Sequence, residues 1–221
     1  MQPRTFTVPP PREVFRVGPV VVTETVVNTW LIMAVVIVVA YLLARRLRRI
    51  PRGAQMVLEM IYEGVESLVV SAMGPGRRGF LPYVGTLMVF IFLSNISGLF
   101  GLRPPTADLN TTLGLALITF FSIHYFSIKT KGLRGYLRSW LEPIPLFLPF
   151  NITGELAKPI SLSFRLFGNI LGGYLILGLV YFYAPVLIPV PFHAYFDLFV
   201  GFLQTFIFAI LSMVLIALAM E

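Results

Sequence analysis

Apolar residues run almost unbroken along four stretches of the chain, from Val26 to Leu43, Leu81 to Leu102, Thr112 to Ile128 and Ile160 to the C-terminus. A helix needs about 20 such residues to cross a hydrocarbon core about 30 Å thick, so about four to six crossings fit the pattern. Met1 to Glu24, with Pro3, Pro9, Pro10, Pro11 and Pro19, predicts an extended or irregular leader. Arg12, Glu13 and Arg16 precede the first apolar run, the wrong order for a cleavable signal peptide, so residues 25–44 read as a retained span. Residues 54–73 are less apolar and place Glu59, Glu63 and Glu66 on one helical face, which predicts an amphipathic helix along the membrane interface. Spans at 81–100 and 111–128 follow. Leu141 to Pro149 holds three prolines and cannot be a regular helix. Two further helices, 151–185 and 192–220, meet at Pro185, Pro189 and Pro191 and form a hairpin. The first of them exceeds the length needed to cross, which predicts steep tilt or a bend at Pro159 or at Gly172 and Gly173. The expected fold is therefore all-α. It is a polytopic membrane protein with about five membrane helices, an interfacial amphipathic helix and a long tilted C-terminal hairpin, as a single membrane domain over 25–221 behind the leader 1–24.

Composition supports the bilayer: 57% of residues are hydrophobic and 12% charged, with a mean hydropathy of +0.85, against roughly 25% charged in a soluble domain. The formal charge of +7 does not point to nucleic acid, because the basic residues cluster beside the spans. Arg45, Arg46, Arg48, Arg49 and Arg52 close the first span, and Lys129, Lys131, Arg134 and Arg138 follow the third. Positive flanks mark the cytoplasmic side, so the N-terminus and the weakly charged segment Gly101 to Asn110 are expected outside and the C-terminus inside. There is no cysteine, hence no disulfide or thiolate metal site. His124 and His193 lie in different segments, with no metal-ligand cluster and no Gly-rich phosphate loop, which argues against a membrane-embedded enzyme and against any cofactor.

The candidate chemistry lies in the last two helices. At 100° per residue, the face centred on Arg165 collects Asn151, Gly154, Lys158, Ser161, Asn169, Gly172 and Gly173, while Leu, Ile and Phe fill the rest. An arginine near mid-membrane costs about 2.5–3.5 kcal/mol on insertion scales, so it needs water or a partner charge. The nearest acid on its own helix, Glu155, lies about 15 Å away at helical rise. The small residues Gly154, Ser161, Gly168, Gly172 and Gly173 permit another helix to approach, which suggests that a second protein supplies the carboxylate. A snorkelling arginine or an ion pair within one bundle is the plainer alternative. On the last helix Asp197 and Gln204 are seven residues apart and share a face. They can line an ion path, or serve as an interfacial anchor and an interhelical hydrogen bond. An autonomous transporter or channel with Arg165 in its substrate site remains a competing class, weakened by the absence of a detectable inverted repeat.

Lys158-Pro-Ile-Ser-Leu-Ser-Phe-Arg-Leu-Phe-Gly-Asn169 resembles the signature of subunit a of bacterial-type F-type ATP synthases. Thr106-Ala-Asp-Leu-Asn-Thr-Thr-Leu113, Ser127-Ile-Lys-Thr-Lys-Gly132 and Leu203-Gln-Thr-Phe-Ile-Phe208 are similar to further family segments, in the same order, over most of the chain after about Pro82. The resemblance implies a non-catalytic stator in the bacterial plasma (inner) membrane, abutting a rotating c-subunit ring and held by peripheral-stalk b subunits. Two offset half-channels would carry H+, or Na+, across it. Arg165 takes the place of the family's essential arginine, Asn169 of the polar residue one turn later, and Gln204 of the glutamine facing the arginine across the hairpin. Ser161, Gly168 and Gly172 would face the ring. Many members carry an acid nine residues after the arginine, where this chain has Tyr174; others carry an acid or histidine seven residues before the glutamine, where it has Asp197. The resemblance thus implies Asp197 as the outer acid. On the inner side Glu155 and Asn151 are candidates, with Glu155 favoured because it titrates.

Overall fold

The computed structural model describes residues 12–17, 20–45, 53–141, 145–184 and 186–221. Among them, five helical stretches are long and apolar enough to cross a membrane: Glu24–Ala44, Pro75–Phe100, Leu109–Trp140, Leu148–Tyr183 and Pro189–Met220. The leader is not irregular throughout. Strands β1 (Glu13–Val17) and β2 (Val20–Thr23) pair antiparallel, because Val14, Val17 and the run Val20 to Val22 favour extended backbone. The amide of Glu24 then donates to the carbonyl of Arg12 at 2.9 Å.

Helix α1 (Glu24–Ala44) buries only Thr25, Asn28 and Ile32 and leaves Leu31, Val35, Ile37, Val38, Val39 and Leu42 exposed, the inverse of a soluble helix. Arg46, Arg48, Arg49 and Arg52, on which the topology of the first span rests, lie outside the described residues. Helix α2 (Ala54–Met73) carries the three glutamates, and Arg78 Nε reaches Glu66 Oε1 at 3.2 Å. A 310 segment, Pro75–Phe80, kinked at Arg77, leads into α3 (Leu81–Ile96).

Helix α4 (Leu109–Leu141) extends beyond the span expected at 111–128 and through the basic segment that follows it. It bends at Gly132, whose φ of 72° is left-handed and strained for any residue with a Cβ, after which a helical piece resumes and carries Arg134, Tyr136 and Arg138. Helix α5 (Leu148–Tyr183) is helical throughout, with Pro159 inside it and Pro149 near its start, where a missing N–H costs no intrahelical bond. Pro185 lies outside the described residues. The last span begins earlier than expected, as α6 (Pro189–His193), then passes through a π-helical segment, Ala194–Val200, into α7 (Gly201–Met220).

The chain divides into two compact units. The first comprises Met1–Arg49, Val89–Asp108 and Phe167–Thr205. Polar contacts knit it: Thr25 Oγ1 donates to Asp108 Oδ2 at 2.8 Å and Asn28 Nδ2 to the Arg103 carbonyl at 3.0 Å. Buried Asn95 donates to the Gly201 carbonyl at 2.9 Å and accepts from Thr106 Oγ1 at 2.7 Å. The second unit comprises Ile50–Met88, Leu109–Leu166 and Phe206–Glu221. It has an apolar core of Val69, Met73, Phe80, Val84, Ile123, Met213 and Ile216, and hydroxyl pairs join its helices, Thr112 with Ser163 at 3.1 Å and Thr119 with Ser212 at 3.2 Å. Lipid tails are as apolar as leucine, so helix association in a bilayer relies on such packing and interhelical hydrogen bonds rather than on expulsion of water.

Candidate functional site

Arg165 projects from α5 into the open. It is exposed, as are Ile160, Ser161, Phe164, Gly168 and Asn169 around it, and it makes no hydrogen bond or ion pair among the described residues. A permanent guanidinium thus stands on a surface whose other large side chains are apolar. A Cβ added at Gly154, Gly168 or Gly172 would meet nothing within 4 Å, so that face is open to a close-packing helix. Gly173 does not belong to it. There a Cβ would lie 3.0–3.2 Å from the Phe196 side chain, so this glycine accommodates the helix's own hairpin partner.

One turn beyond Arg165 along α5, Asn169 Nδ2 donates to Gln204 Oε1 at 2.7 Å. Gln204 is 2% exposed and its Nε2 finds no partner among the described residues. A buried amide half-satisfied in this way holds a donor ready for another group.

Asp197 lies in the π-helical segment of the first unit and is 8% exposed. Its Oδ2 is 2.5 Å from His193 Nδ1, and the other ring nitrogen, Nε2, is 2.8 Å from the Tyr181 hydroxyl. Burial of a lone carboxylate costs several kcal/mol, so a partner that supplies a donor is required. The carboxylate sits hard against the backbone of Gly98, where a Cβ would come within 2.9 Å of Oδ2. Tyr174, Tyr181, His193 and Asp197 line one wall of a cavity of about 400 Å³ whose other wall is Gly98, Leu99, Gly101 and Leu102. Tyr174, set aside from the sequence as an ion-path residue, is therefore part of this lining, and the Arg103 guanidinium lies 5.7 Å over its ring.

Glu155 belongs to the second unit. Its Oε1 accepts from Lys158 Nζ at 2.5 Å, while Oε2 is buried without a partner among the described residues. Both residues line a cavity of about 460 Å³ with His124, Ser127, Lys131, Tyr136, Trp140 and Asn151. Asn151 donates to the Trp140 carbonyl at 2.8 Å, and His124 Nδ1 is 2.9 Å from the Tyr136 hydroxyl. Asn151 and Glu155, alternatives by sequence, thus share one cavity.

His193 and His124, which the sequence marks only as lying in different segments and unsuited to a metal site, each line one of these cavities. His193 stands four residues before Asp197, a spacing that places the two on one helical face, and that signal was available. His124 gave no such signal, since its partner Tyr136 returns to it only because the chain bends at Gly132. Among the described residues no cluster of three or more His, Asp or Glu is placed to hold a metal.

Residues 26–217 match the sequence profile of the ATP synthase A chain. The chain is 43% identical over 211 residues to the sodium ion specific ATP synthase subunit a of Propionigenium modestum, covering 88% of this chain and 73% of that one. It is 43% identical over 206 residues to ATP synthase subunit a 2 of Bradyrhizobium sp., covering 93% and 92% of the two chains. It is 41% identical over 208 residues to ATP synthase subunit a of Moorella thermoacetica, covering 94% and 95%.

Proposed function

The chain belongs to the ATP synthase A chain family, and on that premise we propose that Arg165 is the fixed charge past which the carboxylates of a rotating c-subunit ring travel. The protein is the ion-translocating stator subunit of the membrane sector, integral to the membrane and non-catalytic by itself. This membership displaces the alternative of an autonomous transporter. The observation that carries the proposal is the exposed Arg165 without a polar partner among the described residues, on a face kept open by Gly168 and Gly172.

A guanidinium keeps its proton at any working pH, so Arg165 acts by attraction and repulsion rather than by relay. At about 4 Å and an effective dielectric of about 20 it attracts an ionised ring carboxylate by roughly 4 kcal/mol, which favours loss of the proton before passage. The same charge repels a proton that would run straight from one path to the other. Each elementary charge falling through 100 mV supplies about 2.3 kcal/mol, enough to bias such steps into net rotation.

Along α5 the lining residues Asn151 to Lys158 precede Arg165 and Tyr174 to Tyr181 follow it. The cavity at Asp197 serves the outer half-channel and the cavity at Glu155 the inner one. This requires the N-terminus outside and the C-terminus in the cytoplasm of a bacterial cell, with b subunits holding the stator still. Replacing Arg165 with Ala in the assembled complex is expected to abolish ATP-driven ion pumping in inverted vesicles. Normal pumping by a correctly assembled complex would overturn the gate.

A further inference from the structure

We propose that the bent end of α4 is a binding site for the phosphate group of an anionic phospholipid, held by Arg134 and Arg138, with Lys129 adding charge from the other side of the bend. The site is the same whichever face of the membrane it occupies, because it depends on depth in the bilayer and not on orientation.

The apolar run of the third span, Thr112 to Ile128, ends at Lys129, so the chain reaches the level of the headgroups there. Exposed Tyr125 and half-buried Trp140 are the amphipathic ring types that settle at that depth. Gly132, with its φ of 72°, breaks the helix, and residues 133–141 form a second helical piece beyond it. One side of that piece is committed to the protein. The Tyr136 hydroxyl meets His124 Nδ1 at 2.9 Å, the Trp140 carbonyl accepts from Asn151 Nδ2 at 2.8 Å, and both rings line the Glu155 cavity. The other side carries Leu133 and Leu137, 61% and 56% exposed, each followed by an exposed arginine, Arg134 and Arg138. Residues four apart stack on a helix, so the leucines form one short row and the arginines a second row next to it. That is the pattern of a helix lying in a membrane surface, with its apolar row against the acyl chains and its cations at the phosphates.

Charge selects the ligand. No Asp or Glu occurs from Leu109 to Leu141, against Lys129, Lys131, Arg134 and Arg138. Arg134 makes no hydrogen bond or ion pair among the described residues, and Lys129, also exposed, lies over the Tyr125 ring at 6.0 Å. Lys131 instead lines the Glu155 cavity, whose acid is already paired with Lys158. A guanidinium grips a phosphate with two parallel N–H···O bonds, and its weak hydration suits the boundary between water and acyl chains. A free phosphate ion would use the arginines but leave Leu133 and Leu137 uncovered, whereas a lipid satisfies both rows.

The test uses the complete ATP synthase containing this chain, reconstituted in phosphatidylcholine liposomes doped with photoreactive phosphatidylglycerol, and reads the lipid cross-linked to residues 129–141. Arg134→Gln combined with Arg138→Gln is expected to lower this labelling at least about fivefold, while labelling by photoreactive phosphatidylcholine stays level. Arg134→Lys combined with Arg138→Lys, which keeps the charge but loses the planar fork, gives a smaller fall of about twofold. Millimolar inorganic phosphate leaves the labelling of the parent complex in place. Equal labelling of the glutamine variant and the parent overturns the site, and labelling erased by inorganic phosphate overturns the lipid in favour of a plain anion site. Loss of another subunit from the purified glutamine variant, with its phosphatidylglycerol labelling undiminished, gives the face to a protein partner and overturns the proposal as well.

Discussion

Two cavities hold a carboxylate each, and they hold it differently. Glu155 is paired with an ammonium, Lys158, and the side chains are 25% and 32% exposed. Asp197 is paired with an imidazole, and the side chains are 10% and 20% exposed. The wetter cavity keeps a strongly hydrated, fixed charge beside its acid, which bulk solvent helps to support. The drier cavity has a partner that is charged or neutral as its proton comes and goes, so the pair avoids a standing charge in a poorly solvated place. The contrast suits opposite tasks. One carboxylate faces an ammonium that only donates, and the other faces an imidazole that can donate or accept.

The sharpest way to break this contrast is Asp197→Asn, which leaves the shape of the drier cavity intact but removes its titratable oxygen. Proton-driven synthesis should fall by at least about a hundredfold with the complex still assembled, and an undiminished rate would reduce Asp197 to a packing group. Next in size is Gly98→Ala. Its Cβ would lie 2.9 Å from Asp197 Oδ2, so the carboxylate must shift from its present position beside His193. A severalfold loss of passive proton conductance in vesicles stripped of the catalytic sector is expected, and no change would mean that the position of the carboxylate is unimportant. The smallest effect belongs to the wetter cavity. Glu155→Gln should slow ATP-driven pumping only about two- to fivefold, because the His124 imidazole lines the same cavity and water entering it can carry protons there. A loss as deep as that of Asp197→Asn would show that the two acids are equally indispensable and erase the distinction.

Much of the fold is legible in the chain because a bilayer imposes a simple rule: every backbone group within it must be satisfied locally, so long apolar runs become helices. The five spans and the amphipathic α2 follow from that. Two departures have local causes. The basic segment after the third span stays helical because Gly132 absorbs the turn within one residue, and the leader pairs as β1 and β2 because Val14, Val17 and Val20 to Val22 favour extended backbone. Arg165 was legible for an energetic reason, since an unpaired charge in a long apolar helix demands an explanation. The assignment of Gly173 was not, because a stripe of glycines cannot say which neighbour fills each gap. Phe196 fills that one, and Gly168 and Gly172 stay open.

By itself, then, the sequence determined the number of spans, the polar face of α5 and the residue types that bear on ion movement, because hydropathy and helical period are properties of neighbours in the chain. Only the tertiary structure decided the partners: His193 and Gly98 for Asp197, Lys158 for Glu155, Asn169 for Gln204, and Tyr136 for His124. Bends at Gly132 and through the π-helical turn at Ala194–Val200 shift side chains off their ideal helical directions. Which polar groups meet inside a membrane protein depends on those shifts, and no count of residues along a straight helix contains them.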